Sequence, residues 1–178
     1  MRRIDPTYTS PELTALKSEA KTKTEDLITA FQKDPDSAKV GTFYKDFKPE
    51  LVKSHHGNCA YCEQLVSGHP GDVEHYRPKG RVKEQADNGK LVTVCYPGQP
   101  RKPHPGYFWE ANNWDNLLLS CIDCNRRRQH EGEDGDGTYG KQDQFDVSGT
   151  RAFKPADDLD LEAPKLVHPV LDDPDKHL

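Results

Sequence analysis

The sequence contains few apolar residues and no long hydrophobic run. Apolar residues make up 33% of the 178 positions and charged residues 31%, so the core must be small for the length of the chain. A run of about 18 apolar residues is absent, which argues against a transmembrane helix, and the N-terminus lacks the apolar region of a secretory signal. We therefore expect a cytoplasmic protein in a reducing compartment, built as one domain with appendages.

The net charge of −5 is unusual for a protein that binds nucleic acid, but the charge is unevenly distributed. Residues 1–52 are neutral overall, residues 53–130 carry a net charge of +3, and residues 131–178 carry −8. A weakly positive central region provides only modest affinity for a phosphate backbone. If the substrate is a nucleic acid, we expect a partner to help hold it.

Residues 1–57 are predicted to form a helical N-terminal segment. Ser10 precedes a proline and an acidic residue, which is typical of a helix start. A second cap candidate, Thr24, is expected to divide the helical pattern in two. Phe43 and Phe47 lie four positions apart, so they should share one face of a helical turn and pack on the central region.

Residues 58–130 form the predicted central region, with an insertion at 80–106 around a weak strand at 91–96. The aromatic cluster Tyr107, Phe108, Trp109 and Trp114 could stack on bases, but a chain with so few apolar residues should use most of them in its core. The remaining part, 131–178, is acidic and rich in loops, and it begins with a glycine-rich stretch that we expect to be mobile.

Four of the five cysteines form two Cys-x-x-Cys pairs, which are Cys59 with Cys62 and Cys121 with Cys124. In a reducing compartment this spacing predicts a closed tetrahedral thiolate site for a structural Zn²⁺. The fifth, Cys95, has no such partner and is interpreted as a buried thiol. A zinc site of this kind is found in scaffolds as well as enzymes, so it does not by itself indicate catalysis.

Glu74 and His75 add groups that suit phosphodiester hydrolysis. Histidine is mostly neutral near pH 7 and can accept a proton from water. A hard cation such as Mg²⁺ can bind one or two protein oxygens and complete its shell with water and phosphate. Because neighbouring residues on a strand face opposite sides, both can face one site only where the strand bends or ends.

The order of these groups resembles the HNH nuclease family: Glu74-His75, then Asn116, then Asn125, interleaved with the two cysteine pairs. The resemblance implies an α+β fold with a ββα-metal core, packed by the N-terminal helices. It implies that His75 activates water and that Glu74 and Asn125 bind a catalytic Mg²⁺ or Mn²⁺. It also implies that Asn116 braces the hairpin. From Asp123 onward the chain is expected to begin a helix that Arg126, Arg127 and Arg128 line.

Two features depart from the usual pattern of that family. Glu74 stands where an aspartate is usual, and the interval from His75 to Asn116 is longer because of the insertion. The basic side chains near the motif are candidates for phosphate contacts, although a solvated basic face is an equally good interpretation of any one of them. These candidates are Arg77, Lys79, Arg126, Arg127 and Arg128.

From Cys59 to the C-terminus the sequence is similar to a narrower group, the PtuB family of HNH proteins in Septu and retron-linked antiphage systems. The likeness is carried by Glu-His-Tyr-Arg-Pro-Lys from Glu74, Trp-Asp-Asn-Leu-Leu-Leu-Ser-Cys from Trp114, and His-Pro-x-x-Asp-Asp-Pro from His168. It implies an ABC/SMC-like ATPase partner of the PtuA kind. Chains of this kind often continue past the last motif, which leaves truncation open.

The sequence therefore predicts a metal-dependent endonuclease that cleaves DNA, with no membrane association. The alternative is a non-catalytic zinc-ribbon module that binds nucleic acid or a protein. A third interpretation is an adaptor whose acidic C-terminal third docks on the ATPase while the nuclease stays silent until assembly.

Overall fold

The computed structural model describes residues 4–35, 39–66, 71–130, 137–173 and 176. Within these residues the α-helices are Pro11–Lys33 (α1), Lys48–Ser54 (α2) and Ile122–Asn125 (α3). The strands are Asp72–His75 (β1), Lys83–Gln85 (β2), Leu91–Thr93 (β3), Cys95–Tyr96 (β4), Gln99–Pro103 (β5), Leu117–Ser120 (β6), Arg128–His130 (β7) and Gly137–Tyr139 (β8). They pair as four two-stranded antiparallel sheets, β1–β6, β2–β3, β4–β5 and β7–β8. The described helices include none that is both long and apolar enough to cross a membrane.

Helix α1 begins where the sequence predicts. The side chain of Ser10 accepts a hydrogen bond from the backbone N–H of Leu13, which satisfies one of the free donors of the first turn. The predicted division at Thr24 is wrong, because α1 continues without a break to Lys33. Leu13 and Leu27 lie four turns apart on one apolar side, and their packing against the two core clusters outweighs the local cap signal.

Strand β6 lies between the two apolar clusters of the core. Leu118 belongs to one cluster with Tyr107 and Phe145, whereas Leu117 and Leu119 belong to the other, which surrounds the cysteine pairs. Successive side chains of a strand point to opposite faces, so a strand buried on both faces can join two clusters. All four residues of β6 are buried.

Strand β1 pairs with β6 in antiparallel register, with Asp72 opposite Ser120 and His75 opposite Leu117. Helix α3 follows β6 directly, giving two strands and then a helix. The prediction that Arg126, Arg127 and Arg128 line a helix is wrong, because α3 is a single turn that ends at Asn125. The three arginines that follow are not helical, and Arg128 lies in β7.

The insertion and the C-terminal segment both contribute to the core. Tyr107, Phe108 and Trp109 are buried, which confirms the interpretation of these rings as core residues. The predicted strand at 91–96 is divided between β3 and β4, which pair with different partners. Most of the predicted mobile loop falls on residues 131–136, outside the described residues.

The segment 137–173 contains few regular elements, but it packs against the rest of the chain. Phe145 and Ala152 are about 1% exposed and belong to the first cluster. The Glu162 carboxylate is fully buried and accepts hydrogen bonds from the Tyr107 hydroxyl, the Arg77 guanidinium and the Ala152 N–H. One of the acidic residues of this segment is therefore part of the interior.

Candidate functional site

The four cysteines predicted to bind zinc lie together in the structure. The Sγ atoms of Cys59, Cys62, Cys121 and Cys124 are all within 4.8 Å of one another, and those of Cys62 and Cys121 are 3.7 Å apart. A tetrahedral site with Zn–S bonds of about 2.3 Å places its sulfurs about 3.8 Å apart. The cluster fits a metal ion of that kind, and it joins the segment before β1 to the end of β6.

The thiols of this cluster influence one another strongly. The pKa of Cys59 is lowered to about 3, chiefly because the Cys124 thiol donates a hydrogen bond to it, while the pKa of Cys124 is raised for the same reason. Four thiolates at this spacing would repel one another unless a cation lay between them. The donor set therefore supports a bound divalent cation.

An open cleft of about 640 Å³ lies beside β1 and α3. It brings together three of the four residues predicted to be catalytic, which are Glu74, His75 and Asn125. Asn116 does not line the cleft. The cations that line it are Lys45, Lys48, Lys79, Arg81 and Arg126. The cleft therefore combines a histidine, side-chain oxygens and a set of basic side chains.

His75 is the last residue of β1, which allows it and Glu74 to line the same cleft. Its Nε2 lies 3.0 Å from the carbonyl oxygen of Ala111. A carbonyl can only accept, so Nε2 carries the hydrogen and Nδ1 keeps the lone pair. Nδ1 lies 3.5 Å from the Lys79 ammonium, and the ring of Tyr44 packs edge-on at 4.6 Å.

The imidazole of His75 is held in its neutral form. Burial, together with the positive charges of Lys79 and Lys141, lowers its pKa to about 3 against the opposing hydrogen bond to Ala111. The ring is only 4% exposed. A neutral ring with one fixed tautomer is the form that a proton acceptor requires.

Asn116 holds the backbone around His75. Its Oδ1 accepts from the N–H of Arg77 at 2.7 Å, and its Nδ2 donates to the carbonyls of Arg77 and Glu110, both at 3.1 Å. Glu110 immediately precedes Ala111, the residue whose carbonyl accepts from His75. Asn116 is 3% exposed, so it acts as a buried brace between the two segments that orient the imidazole.

Glu74 is paired with a lysine from the C-terminal segment. The Nζ atom of Lys141 lies 2.8 Å from Oε1 of Glu74 and donates at 2.8 Å to the carbonyl oxygen of His75. The side chains are 6% and 9% exposed, respectively. Burial raises the pKa of Glu74, while Lys141 opposes that rise. Lys141 thus occupies one oxygen of the predicted metal ligand.

Asn125 binds Asp72, a carboxylate on the same face of β1 as Glu74. Its Nδ2 donates to Oδ2 of Asp72 at 2.8 Å, and Arg126 forms a bidentate pair with both carboxylate oxygens at 2.7 and 2.8 Å. The Arg126 guanidinium, together with Asn125, lowers the pKa of Asp72 against its partial burial. Because Nδ2 of Asn125 is used here, its Oδ1 is the atom that a cation in the cleft would take.

The predicted phosphate-contact residues are found in different places. Lys79 and Arg126 line the cleft. Arg77 lies under it, 16% exposed, with its Nε donating to Glu162 at 2.8 Å. Arg128 is paired with Asp123, and Arg127 lines another cavity, beside Tyr139. The last three are therefore not positioned at the cleft.

Three residues that line the cleft or contact Glu74 and His75 were not identified from the sequence. Asp72 lies two positions before Glu74, and strand alternation could have indicated it. Tyr44 and Lys141 gave no local signal, since they lie 31 and 66 positions from His75 along the chain. Only the folded chain brings them to the histidine.

The chain is similar to two curated proteins from Bacillus mycoides. It is 30% identical over 161 residues to Septu protein PtuB, a match that covers 82% of this chain and 46% of that protein. It is 31% identical over 123 residues to Septu protein PtuA, covering 68% of this chain and 14% of that protein. The chain thus spans about half the length of the first relative. No family model matches it, and neither does any solved structure.

Proposed function

Because this chain is a homologue of Septu protein PtuB, we propose that it is the nuclease component of an antiphage defence system. In this proposal the β1–β6–α3 unit is a ββα-metal core of the HNH class. Its reaction is the metal-dependent hydrolysis of DNA phosphodiester bonds in the cleft beside β1. The observation that carries the proposal is the fixed tautomer of His75, whose lone pair lies on Nδ1, next to the basic side chains of the cleft.

His75 acts as the general base. Its Nδ1 accepts a proton from a water molecule, whose oxygen attacks phosphorus as the bond to the leaving oxygen breaks. Proton transfer makes the ring cationic, and the Ala111 carbonyl stabilises that form through Nε2. Asn116 does not touch the reacting atoms and has a positioning role.

Lys79 links substrate binding to the exposure of Nδ1 of His75, the general base. In the free protein its ammonium lies 3.5 Å from Nδ1 of His75 and 4.6 Å from the ring centroid of Tyr44. A phosphate in the cleft is a stronger partner for an ammonium than a neutral imidazole nitrogen is. Substrate would draw Lys79 away and free Nδ1 for water.

The oxygens of Glu74 and Asn125, with Asp72 beside them, form the donor set for a hard cation. When bound, Mg²⁺ or Mn²⁺ would neutralise charge that builds on the phosphate and the leaving oxygen. Lys141 binds only Oε1 of Glu74, which leaves Oε2 as the oxygen for the cation.

An ABC/SMC-like ATPase of the PtuA kind is the proposed partner. The central region of this chain has a net charge of only +3, so its own affinity for DNA should be modest. A segment similar to this chain occurs within a protein named Septu protein PtuA, which supports a partner of that kind. Comparing cleavage with and without the ATPase would test this requirement.

Plasmid cleavage with Mg²⁺ or Mn²⁺, with and without the ATPase, tests the nuclease. The test variant is His75→Ala, and the matched control is His56→Asn, at an exposed histidine with positive φ outside the cleft. We expect the control to cut and His75→Ala to lose at least 100-fold in rate, the lower end of general-base contributions. Equal cleavage rates of His75→Ala and His56→Asn would refute the role of His75 as the general base. If neither the wild type nor the variants cut under any condition, the zinc-ribbon binding module becomes the better account.

A further inference from the structure

We propose that a second groove, between the end of α1 and the β4–β5 hairpin, binds a nucleobase adjoining the scissile phosphodiester. The inference rests on the proposed nuclease function and names a feature of its substrate. The groove has a volume of about 440 Å³. Its walls come from α1 and from the insertion, outside the β1–β6–α3 unit.

The groove has an aromatic and proline-rich interior. Phe31 stacks on Phe108 with ring centroids 4.1 Å apart and an interplanar angle of 26°. Tyr96, Pro103 and Pro105 complete the apolar walls. Phe108 is buried whereas Phe31 and Tyr96 are partly exposed, so these two rings are the ones that a flat ligand can contact.

The charge of the groove suits an anionic ligand. Three lysines line it, which are Lys39, Lys79 and Lys102, and none of the described residues that line it is acidic. The ammonium of Lys102 lies 4.6 Å from the ring centroid of Tyr96. Aromatic faces beside lysines are the combination by which proteins hold single-stranded nucleic acid: bases stack on the rings and phosphates pair with the cations.

The groove adjoins the cleft that contains His75. Lys79 and Gly80 line both cavities, and Lys79 is the residue whose ammonium faces Nδ1 of His75. Gly80, in the shared wall, packs closely on Gly106, because a Cβ added at Gly106 would be 1.8 Å from the Gly80 carbonyl oxygen. A strand with its phosphate at His75 can therefore place the adjoining base in the groove.

A base in the groove must be unpaired. A duplex keeps its bases stacked inside the helix, so only a single strand, an end, or a base turned out of the stack could present its face to Phe31. The groove therefore favours a substrate with unpaired bases at the cut. An acidic peptide would satisfy the lysines but would not use the aromatic walls or the junction with the cleft.

The test measures binding by the full chain with His75→Ala, so that the ligand is not cleaved. Fluorescence anisotropy compares a labelled single-stranded oligonucleotide with an abasic oligonucleotide of the same length and charge. We expect the abasic ligand to bind about 5- to 100-fold more weakly, the range for stacking of one base. Phe31→Leu and Tyr96→Leu keep the apolar volume and should each reduce this difference severalfold.

Lys102→Gln tests whether the lysine beside Tyr96 contacts a phosphate of the ligand. Arg101→Gln is the matched control, because Arg101 is the neighbouring exposed cation of β5 and does not line the groove. Losing one phosphate contact should reduce the slope of log affinity against log salt by about 0.7 for Lys102→Gln, with no change for the control. Thermal unfolding of each variant verifies that it is folded.

Equal binding of normal and abasic oligonucleotides would overturn the inference, as would an abasic difference that neither aromatic variant changes. Competition by an acidic peptide as strong as that by the oligonucleotide would also overturn it, in favour of a protein partner. Cleavage of plasmid is scored separately. If the chain binds abasic DNA more weakly but never cleaves plasmid, the nuclease function is refuted while the nucleobase-binding groove is retained.

Discussion

Replacing Lys141 by methionine removes the cation next to Glu74 and leaves an uncharged, apolar side chain of similar length. Lys141 makes two contacts at 2.8 Å, with Oε1 of Glu74 and with the carbonyl oxygen of His75, and it is 9% exposed. In the variant, the carboxylate and the carbonyl both lose a partner inside the protein. One change therefore perturbs both the backbone of His75 and the charge of Glu74, the proposed metal ligand.

The expected cost follows from the burial of the pair. Removing one partner of a buried ion pair costs about 3–5 kcal/mol, because the other charge is left uncompensated. That is a large part of the 5–15 kcal/mol by which domains are typically stable. Lys154→Met is the matched control: Lys154 is 70% exposed and 3.8 Å from Asp157, and such surface pairs contribute about 0–1 kcal/mol.

Urea unfolding of Lys141→Met, Glu74→Gln and the double variant measures the coupling between the two residues. We expect the cost of Lys141→Met to shrink as the pH falls from about 8 to 5.5. Burial already raises the pKa of Glu74 and Lys141 opposes this, so without Lys141 the carboxyl group takes up a proton more readily and loses its buried charge. Destabilisation below about 1 kcal/mol, equal to that of the control at every pH, would refute a dry ion pair at this site.

Three other predictions concern acid stability, the zinc site and Asn116. Acid should unfold the protein steeply between pH 6.5 and about 4. Burial lowers the pKa of His75 to about 3 and those of His55 and His104 to about 4, so the unfolded chain binds about three more protons than the folded chain in this range. The free energy of unfolding should therefore fall by roughly 4 kcal/mol per pH unit in denaturant titrations. Native mass spectrometry should find one zinc per chain, and a chelator or Cys62→Ser should abolish cooperative thermal unfolding; a zinc-free chain with an unchanged melting temperature would contradict this. Asn116→Ala should cost about 1–3 kcal/mol in urea and lower kcat at least tenfold with little change in KM, whereas a change in KM alone would indicate a substrate contact.

The parts of the fold that the sequence predicts correctly are those set by residues close together in the chain. The Ser10 cap follows from the residue types around a helix start. The end of β1 at His75 satisfies the requirement that the strand bend or end where Glu74 and His75 face one site. The helix expected from Asp123 onward is shorter than predicted because of contacts with residues far along the chain. Gly140 lies against the Arg126 carbonyl, and the N–H groups of Lys141 and Gln142 bind the last carbonyls of the helix.

The sequence alone determines the four-thiol cluster and the succession of acid, histidine and two asparagines, because spacing and residue type are sufficient to recognise them. The tertiary structure alone decides which charges those groups meet. It brings Lys141 to Glu74, directs Asn125 to Asp72, and buries Arg77 on Glu162. The partners in each pair are 53 to 85 positions apart in the sequence, and the short periodicities of helices and strands do not predict contacts over such separations. They depend on how the insertion and the C-terminal segment close around β1 and β6, and that closure is driven by burial of an apolar core to which distant parts of the chain contribute.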